Sequence, residues 1–247
     1  MTDLGKTLTE RMTNAERDQT SPNSVPRDAA TLILIDRAGP DPKVLLGRRH
    51  AGHKFMPGKF VFPGGRIEKA DALMTAATEL HPAAEAKLAI KPRDAEVPPP
   101  RAFVLAAVRE TFEETGLMIG VRRDDAPSAP GGPWAAFAEA KVHPDLSTIH
   151  FIARAVTPPR RSRRYDTRFF TSDASAIAHK IDGAVGPDSE LVELVWMPLD
   201  EAKTLDLLAI TELVLEDLQT QIDGGFSHDL PVPFYRLLRG KRLRSMI

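Results

Sequence analysis

The sequence contains no cysteine in its 247 residues, and only 6% of them are aromatic. The missing cysteines exclude disulfide bonds, thiolate metal sites and cysteine nucleophiles, and they fit a reducing compartment. No stretch approaches the roughly 18 apolar residues of a membrane span, and the polar N-terminal residues lack the apolar core of a secretory signal. A formal net charge of −1 argues against general nucleic-acid binding. We therefore expect a cytoplasmic protein with neither a membrane nor a nucleic-acid partner.

The arrangement of apolar segments indicates an α/β protein. Residues 1–26 are expected to form a flexible N-terminal arm, because they end in the breaker-rich stretch SPNSVP. Strand patterns occupy residues 29–35, 43–46, 147–156, 166–171 and 191–196. Helical patterns occupy residues 71–90, 102–115 and 200–222, the first interrupted or restarted at Pro82 and the second ending at Gly116. Strands and helices do not simply alternate, which favours one domain over 27–247 with a mixed sheet flanked by helices.

Three glutamates in the second predicted helix carry the most specific chemistry. Glu110, Glu113 and Glu114 share a helix face at spacings of three and four residues, where like charges repel by a few tenths of a kcal/mol. A divalent cation such as Mg²⁺, which prefers oxygen ligands, would turn this repulsion into attraction. The alternative is a solvated acidic face, which is the usual meaning of a run of like charges.

The residues around these glutamates resemble the Nudix box. The stretch RETFEETGL begins at Arg109 and resembles its second half, and GGRIEKAD, which follows Phe62 and Pro63, resembles its first half. Two features depart from the family pattern. Asp71 stands where a glutamate is usual, and 37 residues rather than seven separate it from Arg109. The peroxisomal CoA-diphosphatase-like branch of the family is similar in carrying an insertion here, which we place at about residues 72–101.

The resemblance implies a Nudix-type α/β/α sandwich with a helical insertion. It also implies a Mg²⁺-dependent enzyme, with Mn²⁺ as an alternative, in which water attacks a phosphorus of a P–O–P bridge and a carboxylate removes the proton. Arg109 would orient a glutamate, Glu110 would be a third metal ligand or the base, and Glu190 is an outside candidate for the base. The implied metal ligands are Glu110, Glu113, Glu114 and the carbonyl of Gly64.

The segment before the box provides the substrate prediction. Residues 45–65 resemble the CoA-specific Nudix branch in length, and Arg49 and Gly58 occupy the expected positions. Gly47, His50 and Lys54 depart from the usual threonine, small residue and arginine. Arg49 could grip phosphate as a planar fork and Lys54 as a point charge, although an exposed basic loop is the alternative. The leading hypothesis is hydrolysis of CoA or acyl-CoA to a phosphopantetheine and 3′,5′-ADP.

Two other functions fit the same residues. One is a Nudix pyrophosphatase that acts on ADP-ribose, dinucleotides or nucleotide sugars, because fold alone does not fix the substrate. The other is a non-catalytic, nucleotide-binding sensor module. The insertion could cap the site, select an acyl chain or form a dimer contact, and the family resemblance suggests a homodimer. The basic stretch 160–164 could meet a 3′-phosphate or be a solvated loop, and the basic stretch 236–244 is typical of a solvated helix end.

Overall fold

The computed structural model describes residues 20–52, 56–90 and 98–247, and its largest unit is a mixed sheet. The strands are β1 (Arg27–Asp36), β2 (Lys43–Arg49), β3 (Phe60–Val61), β4 (Gly64–Arg66), β5 (Leu117–Ile119), β6 (Val121–Arg122), β7 (Val142–His143), β8 (His150–Val156), β9 (Tyr165–Asp173), β10 (Ile177–Lys180), β11 (Leu191–Pro198), β12 (Pro233–Leu238) and β13 (Lys241–Met246). The α-helices are α1 (Pro82–Leu88), α2 (Pro100–Thr115), α3 (Trp134–Glu139), α4 (Leu199–Ala202) and α5 (Ala209–Asp223).

Nine strands form the main sheet, in the order β11-β2-β1-β9-β8-β12-β13, with β3 beside β2 and β4 beside β1. The β1–β9 and β8–β12 pairs are parallel, and the other pairs are antiparallel. Strands β1 and β2, which correspond to the strand patterns predicted at 29–35 and 43–46, form an antiparallel hairpin. Two small sheets, β5 with β10 and β6 with β7, lie outside the main one.

Strand β1 separates two hydrophobic cores. Its side chains alternate between the two faces of the sheet. Leu32 and Leu34 pack in the cluster that contains α2, whereas Ile33 and Ile35 pack in the cluster that contains α5. Burial on both faces explains why the strand is a continuous aliphatic run in the sequence. The helix–sheet–helix layering confirms the predicted α/β/α sandwich.

Two local predictions are wrong. The predicted helix over 71–90 is absent before Pro82, where a short 3-10 turn covers only Asp71–Leu73, whereas the predicted restart at Pro82 is confirmed, because α1 begins there and proline suits the first helical position. Gly64 and Gly65 lie in strand β4, which pairs with β1. The stretch 236–244 is not a helix end, because it belongs to the hairpin of β12 and β13.

The described part of the insertion packs into the protein. Met74 and Leu88 are fully buried in the α2 core. Arg101 donates hydrogen bonds to the carbonyl oxygens of Ala72 and Met74, at 2.8 and 3.2 Å. Lys87 Nζ donates to two carbonyl oxygens of the loop between α5 and β12, at 2.6 and 2.7 Å. These contacts join both halves of the insertion to the sandwich. Within the described residues, no helix is both long and apolar enough to cross a membrane.

Three stacked histidines connect the insertion to the sheet. The His228 ring lies between those of His81 and His150, with centroid distances of 4.4 and 4.1 Å and nearly parallel planes. His81 caps α1, His150 begins β8, and His228 lies in the loop before β12. Burial, together with the nearby positive charges of His228, Arg37 and His81, lowers the pKa of His150 to about 4.

The stack predicts a loss of stability in mild acid. Because the folded-state pKa of His150 lies below the ordinary 6.5, the unfolded chain binds the proton more tightly between pH 6.5 and 4. Its contribution to stability is therefore complete above pH 6.5 and is lost as the pH falls towards 4, by about 2 kcal/mol for this partly exposed ring. Urea unfolding at several pH values gives the free energy of unfolding as a function of pH. Between pH 6.5 and 4 this free energy should fall less steeply for His150→Phe than for the unchanged protein, and an equal fall in both would contradict the prediction.

Candidate active site

The C-terminal half of α2 presents the predicted acidic residues. The helix ends at Gly116, which adopts a left-handed conformation with φ of 76° and donates its N–H to the Phe112 carbonyl at 2.7 Å. A side chain at this position would overlap the carbonyl oxygen of Ile181, so both the backbone conformation and the close approach require glycine. The predicted helix end is confirmed, and it fixes where the last turn of α2 presents Glu113 and Glu114.

Arg109 links α2 to the glycine-containing segment before the insertion. Its Nε and Nη2 donate to the two carboxylate oxygens of Asp71, at 2.7 and 3.1 Å, and Nη2 also donates to the Arg66 carbonyl at 2.8 Å. Asp71 is 0% exposed and accepts two more hydrogen bonds, from Trp134 Nε1 at 3.2 Å and from the Glu68 amide at 2.8 Å. The two halves of the box are therefore in direct contact despite the 37 residues between Asp71 and Arg109.

The remaining guanidinium nitrogen of Arg109 holds two of the glutamates. Its Nη1 donates to Glu110 Oε1 at 2.9 Å and to Glu113 Oε1 at 2.8 Å. Burial alone would lower the pKa of Arg109, but the hydrogen bonds to Asp71 and Glu113 raise it above its ordinary value. Arg109 is thus a permanently charged group that fixes the positions of both carboxylates.

Glu114 lies in a different environment from its neighbours. It is only 8% exposed, and its Oε2 has no hydrogen-bond partner among the residues that the structure describes. Burial raises the pKa of this carboxyl well above its ordinary value, and the negative charges of Glu190 and Glu110 raise it further. Arg49 and a backbone hydrogen bond from Gly64 act in the opposite direction. The structure therefore brings Glu110, Gly64, Arg49 and Glu190 together around Glu114.

Arg49 and Glu190 form an ion pair beside this carboxylate. Arg49 Nη2 lies 2.7 Å from Glu190 Oε1, and the His50 amide donates to the Glu190 carbonyl at 3.0 Å. The pair is positioned by the antiparallel register of β2 and β11, in which Arg49 lies opposite Leu191. Lys54, the second predicted phosphate-binding residue, lies outside the described residues.

The structure adds Trp134 to the site and gives a packing reason for Gly47. Trp134, which holds Asp71, lies 63 residues away in the chain, and no motif marked it. Gly47, which stands where threonine is usual, lies directly under Leu191, and a side chain there would overlap Leu191 Cδ1.

The basic stretch 160–164 has a structural contact at its end. Arg164 donates to Asn23 Oδ1 at 2.9 Å and to the Thr157 carbonyl at 3.2 Å. Arg164 therefore holds the segment that precedes β1.

Gly65 leaves the space that Glu110 occupies. A Cβ atom at Gly65 would overlap the carboxyl group of Glu110, whereas one at Gly39 would meet nothing within 4 Å. Gly65→Ala is therefore expected to displace Glu110. With the metal-binding or base role that the family resemblance implies for Glu110, this should lower kcat by about 10²-fold. Steady-state hydrolysis assays of Gly65→Ala and the control Gly39→Ala test this. Full activity of Gly65→Ala would contradict the prediction, because it would show that turnover does not depend on the position of the Glu110 carboxyl group.

The donor set at Glu114 fits a divalent cation, although the side chains do not surround one. Among residues 20–52, 56–90 and 98–247, no group of three or more acidic or histidine side chains is arranged to hold a metal ion. However, Glu114 Oε2 is a buried carboxylate oxygen without a partner among the described residues, and oxygen ligands of this kind suit Mg²⁺. Because four glutamates meet only two guanidinium groups here, those of Arg109 and Arg49, a cation would offset the excess negative charge.

Comparison with known proteins agrees with this geometry. A family model described as the NUDT19 Nudix domain matches residues 26–205. A crystal structure of a NUDIX hydrolase from Alicyclobacillus acidocaldarius is 30% identical and superposes with a TM-score of 0.57, covering 78% of this chain and 90% of that one. A Caenorhabditis elegans protein named "Putative nudix hydrolase 7" is 27% identical over 156 residues, which cover 58% of this chain and 43% of that protein. The match thus spans less than half the length of this relative. Because the family model covers most of the chain and both halves of the box meet through Asp71 and Arg109, the chain belongs to the Nudix hydrolase family.

Proposed function

We propose that the protein hydrolyses a P–O–P linkage in a nucleotide-containing substrate, with Mg²⁺ or Mn²⁺ as cofactor. The observation that carries the proposal is the buried oxygen of Glu114, which has no hydrogen-bond partner in residues 20–52, 56–90 and 98–247 and lies among Glu110, Glu190 and Arg49. A buried carboxylate oxygen without a partner destabilises the folded protein unless a ligand binds it. A metal-dependent hydrolase uses such an oxygen to bind its cation.

The described residues suggest a division of roles. Glu110, Glu113, Glu114 and the Gly64 carbonyl would hold the cation. When bound, the cation neutralises phosphate oxyanions and lowers the pKa of the attacking water. Arg109 acts through Glu110 and Glu113, which it orients by charge-assisted hydrogen bonds at 2.9 and 2.8 Å.

The proton of the attacking water requires a carboxylate base. Glu110 and Glu190 are the two candidates, since both carry a charge close enough to raise the pKa of Glu114. Glu190 already pairs with Arg49 at 2.7 Å. In this proposal, a substrate phosphate competes for the same guanidinium, so substrate binding would release Glu190 to accept the proton.

We further propose that the substrate is CoA or an acyl-CoA. Residues 45–65 support this by their resemblance to the CoA-specific branch, and Arg49 is well placed to contact a phosphate beside Glu114. The products would be a phosphopantetheine and 3′,5′-ADP.

Arg49→Lys keeps the charge but removes the planar fork, so it should raise KM more than it lowers kcat.

The test is a substrate panel with the purified protein and Mg²⁺. The panel contains CoA, acetyl-CoA, a longer acyl-CoA, ADP-ribose, NADH and a nucleotide sugar, and products are separated by chromatography. Release of 3′,5′-ADP from the CoA compounds would support the full proposal. Rapid cleavage of ADP-ribose or NADH, with CoA compounds untouched, would overturn the CoA assignment but keep the reaction. Nucleotide binding without turnover of any compound would replace the enzyme with a sensor module.

A further inference from the structure

Strand β11 forms one edge of the main sheet and pairs with β2 on one side only. In an antiparallel pair, the backbone groups of alternate residues face the neighbouring strand, and those of the residues between them face outwards. Leu199, directly after β11, donates its N–H at 2.8 Å to the carbonyl of the residue that precedes β2. Val195, four residues earlier, therefore also faces β2, whereas Leu194 and Trp196 turn their N–H and C=O groups outwards.

The outward edge of β11 is apolar and open. In the part of the chain that the structure describes, no second strand or loop hydrogen-bonds to the outward groups of Leu194 and Trp196. Pro198 lies at the next outward position, where its missing N–H takes no bond from β2. The strand reads LVELVWMP, and its one charged residue, Glu193, pairs with Arg48 of β2 at 2.9 Å. A long apolar edge of this kind is a template for another strand.

The opposite edge of the sheet, β13, is protected by charge. Its six residues, KRLRSM, include three cations. If two copies of β13 paired antiparallel about Leu243, Arg242 of one copy would lie opposite Arg244 of the other, and like charges in such positions are destabilising. The single charge of β11 is instead neutralised within its own sheet. The two edges therefore differ, and β11 is the one that fits an apolar, uncharged strand.

Strand β11 is complementary to a second copy of itself. In an antiparallel pair with a two-fold axis at Val195, Leu194 of each copy lies opposite Trp196 of the other. Because both residues face outwards, each such pair exchanges two N–H···O bonds, which gives four bonds in all. The two side chains lie on the same face of the joined sheet, about 5 Å apart between Cβ atoms. Glu193 lies opposite Met197 of the second copy, so no like charges meet.

We propose that the protein forms a dimer in which two β11 strands pair antiparallel and join the main sheets of both copies. The contact uses the same surface on each copy, so it closes after two chains and leaves β13 at both outer edges. The proposal does not depend on the hydrolytic activity proposed above, because residues 194–197 include none of the proposed metal ligands, bases or phosphate-binding residues.

Sedimentation velocity of the full chain over a series of concentrations tests this assignment. We expect a mass of twice 27.1 kDa at high micromolar concentration and a fall towards 27.1 kDa on dilution. A mass of one chain at every concentration would overturn the proposal, since the edge would then have no second copy on it.

Two matched variants locate the contact. Trp196→Glu places a charge in the centre of the proposed interface and removes its aromatic residue, so it should raise the dissociation constant of the dimer by at least about tenfold. Leu243→Glu is the control, because Leu243 also lies on an edge strand and is 38% exposed, compared with 37% for Trp196. Its dissociation constant should equal that of the unchanged protein. A dimer that survives Trp196→Glu, or that dissociates in Leu243→Glu, would show that another surface makes the contact.

A measurement without any substitution covers the case in which Trp196→Glu does not fold. The chain has two tryptophans, and Trp134 is 0% exposed within its own chain. Dilution of the unchanged protein should therefore shift the fluorescence emission of Trp196 to longer wavelength, because its ring loses Leu194 of the second copy and meets water. A constant emission maximum while the mass halves would place Trp196 outside the interface and overturn the proposal.

Discussion

Glu114→Gln is expected to lower turnover by at least about 10²-fold while leaving the fold intact. Even residues that only support metal ligands typically cost 10–100-fold in activity or affinity when replaced, so a proposed direct ligand should cost more. Glutamine keeps the size and shape of the side chain, and it removes a carboxylate charge that burial and the neighbouring Glu190 already disfavour. The measurement is kcat with saturating Mg²⁺, with Glu113→Gln beside it. Glu139→Gln, at an exposed position on α3, is the matched control.

Thermal unfolding separates this effect from a loss of structure. Without metal, Glu114→Gln should unfold at the same temperature as the unchanged protein or above it, because the substitution relieves an unfavourable buried charge. Millimolar Mg²⁺ should raise the midpoint of the unchanged protein, since a ligand that binds only the folded state stabilises it. The same addition of Mg²⁺ should raise the unfolding midpoint of Glu114→Gln by less. Full activity with an unaltered response to Mg²⁺ would remove Glu114 from the proposed metal site.

Asp71→Asn is expected to destabilise the protein by about 3–5 kcal/mol, the usual cost of removing one member of a buried ion pair. Asp71 makes two hydrogen bonds to Arg109 and is 0% exposed, so asparagine leaves a guanidinium in the interior facing a neutral group. Chemical denaturation with urea measures the free energy of unfolding. Asp173→Asn, which breaks an exposed pair with Arg37, should cost less than about 1 kcal/mol.

A double substitution distinguishes loss of charge pairing from loss of packing. In Asp71→Asn, Arg109 keeps its ion pairs with Glu110 and Glu113 but loses its bidentate partner, so adding Arg109→Met should cost less stability than the two single substitutions cost in sum. The double variant should be inactive, because Glu110 and Glu113 lose the group that orients them. If Asp71→Asn alone cost less than about 1 kcal/mol, the other partners of Arg109 rather than Asp71 would have to account for its position, namely Glu110, Glu113 and the Arg66 carbonyl.

The sequence predicted the elements whose signals are local. The aliphatic run of β1, the helix end at Gly116 and the order of the two halves of the box could all be read from neighbouring residues. The 71–90 segment failed because its alanines and leucines have helical spacing, whereas hydrogen bonds from Thr75 and Ala77 to the distant Ser128 and Pro144 hold it extended. Such tertiary pairing overrides helical propensity.

The contacts of the site were less accessible from the sequence. The hydrogen bond from Trp134 to Asp71 and the ion pair of Arg49 with Glu190 join residues 63 and 141 positions apart. No periodic pattern in the sequence indicates a contact between residues so far apart in the chain. The shorter side chain of Asp71 left its role open in the sequence, whereas in the structure it is the bidentate partner of Arg109. The metal ligands, the base and the binding role of Arg49 stay predictions.

The parallel pairing of β1 with β9 has a consequence for how the chain folds. Nine residues of β1 each lie opposite a residue 138 positions later, from Arg27 with Tyr165 to Ile35 with Asp173. Closing so large a loop costs conformational entropy before any contact is gained, which slows folding. On the ribosome, β1 can pair with β2 and β4 early, but its other edge stays open until β9 is synthesised, and an open strand edge is prone to aggregate. Expression at reduced temperature or with chaperones should therefore raise the yield of native protein more than substitution of exposed residues would.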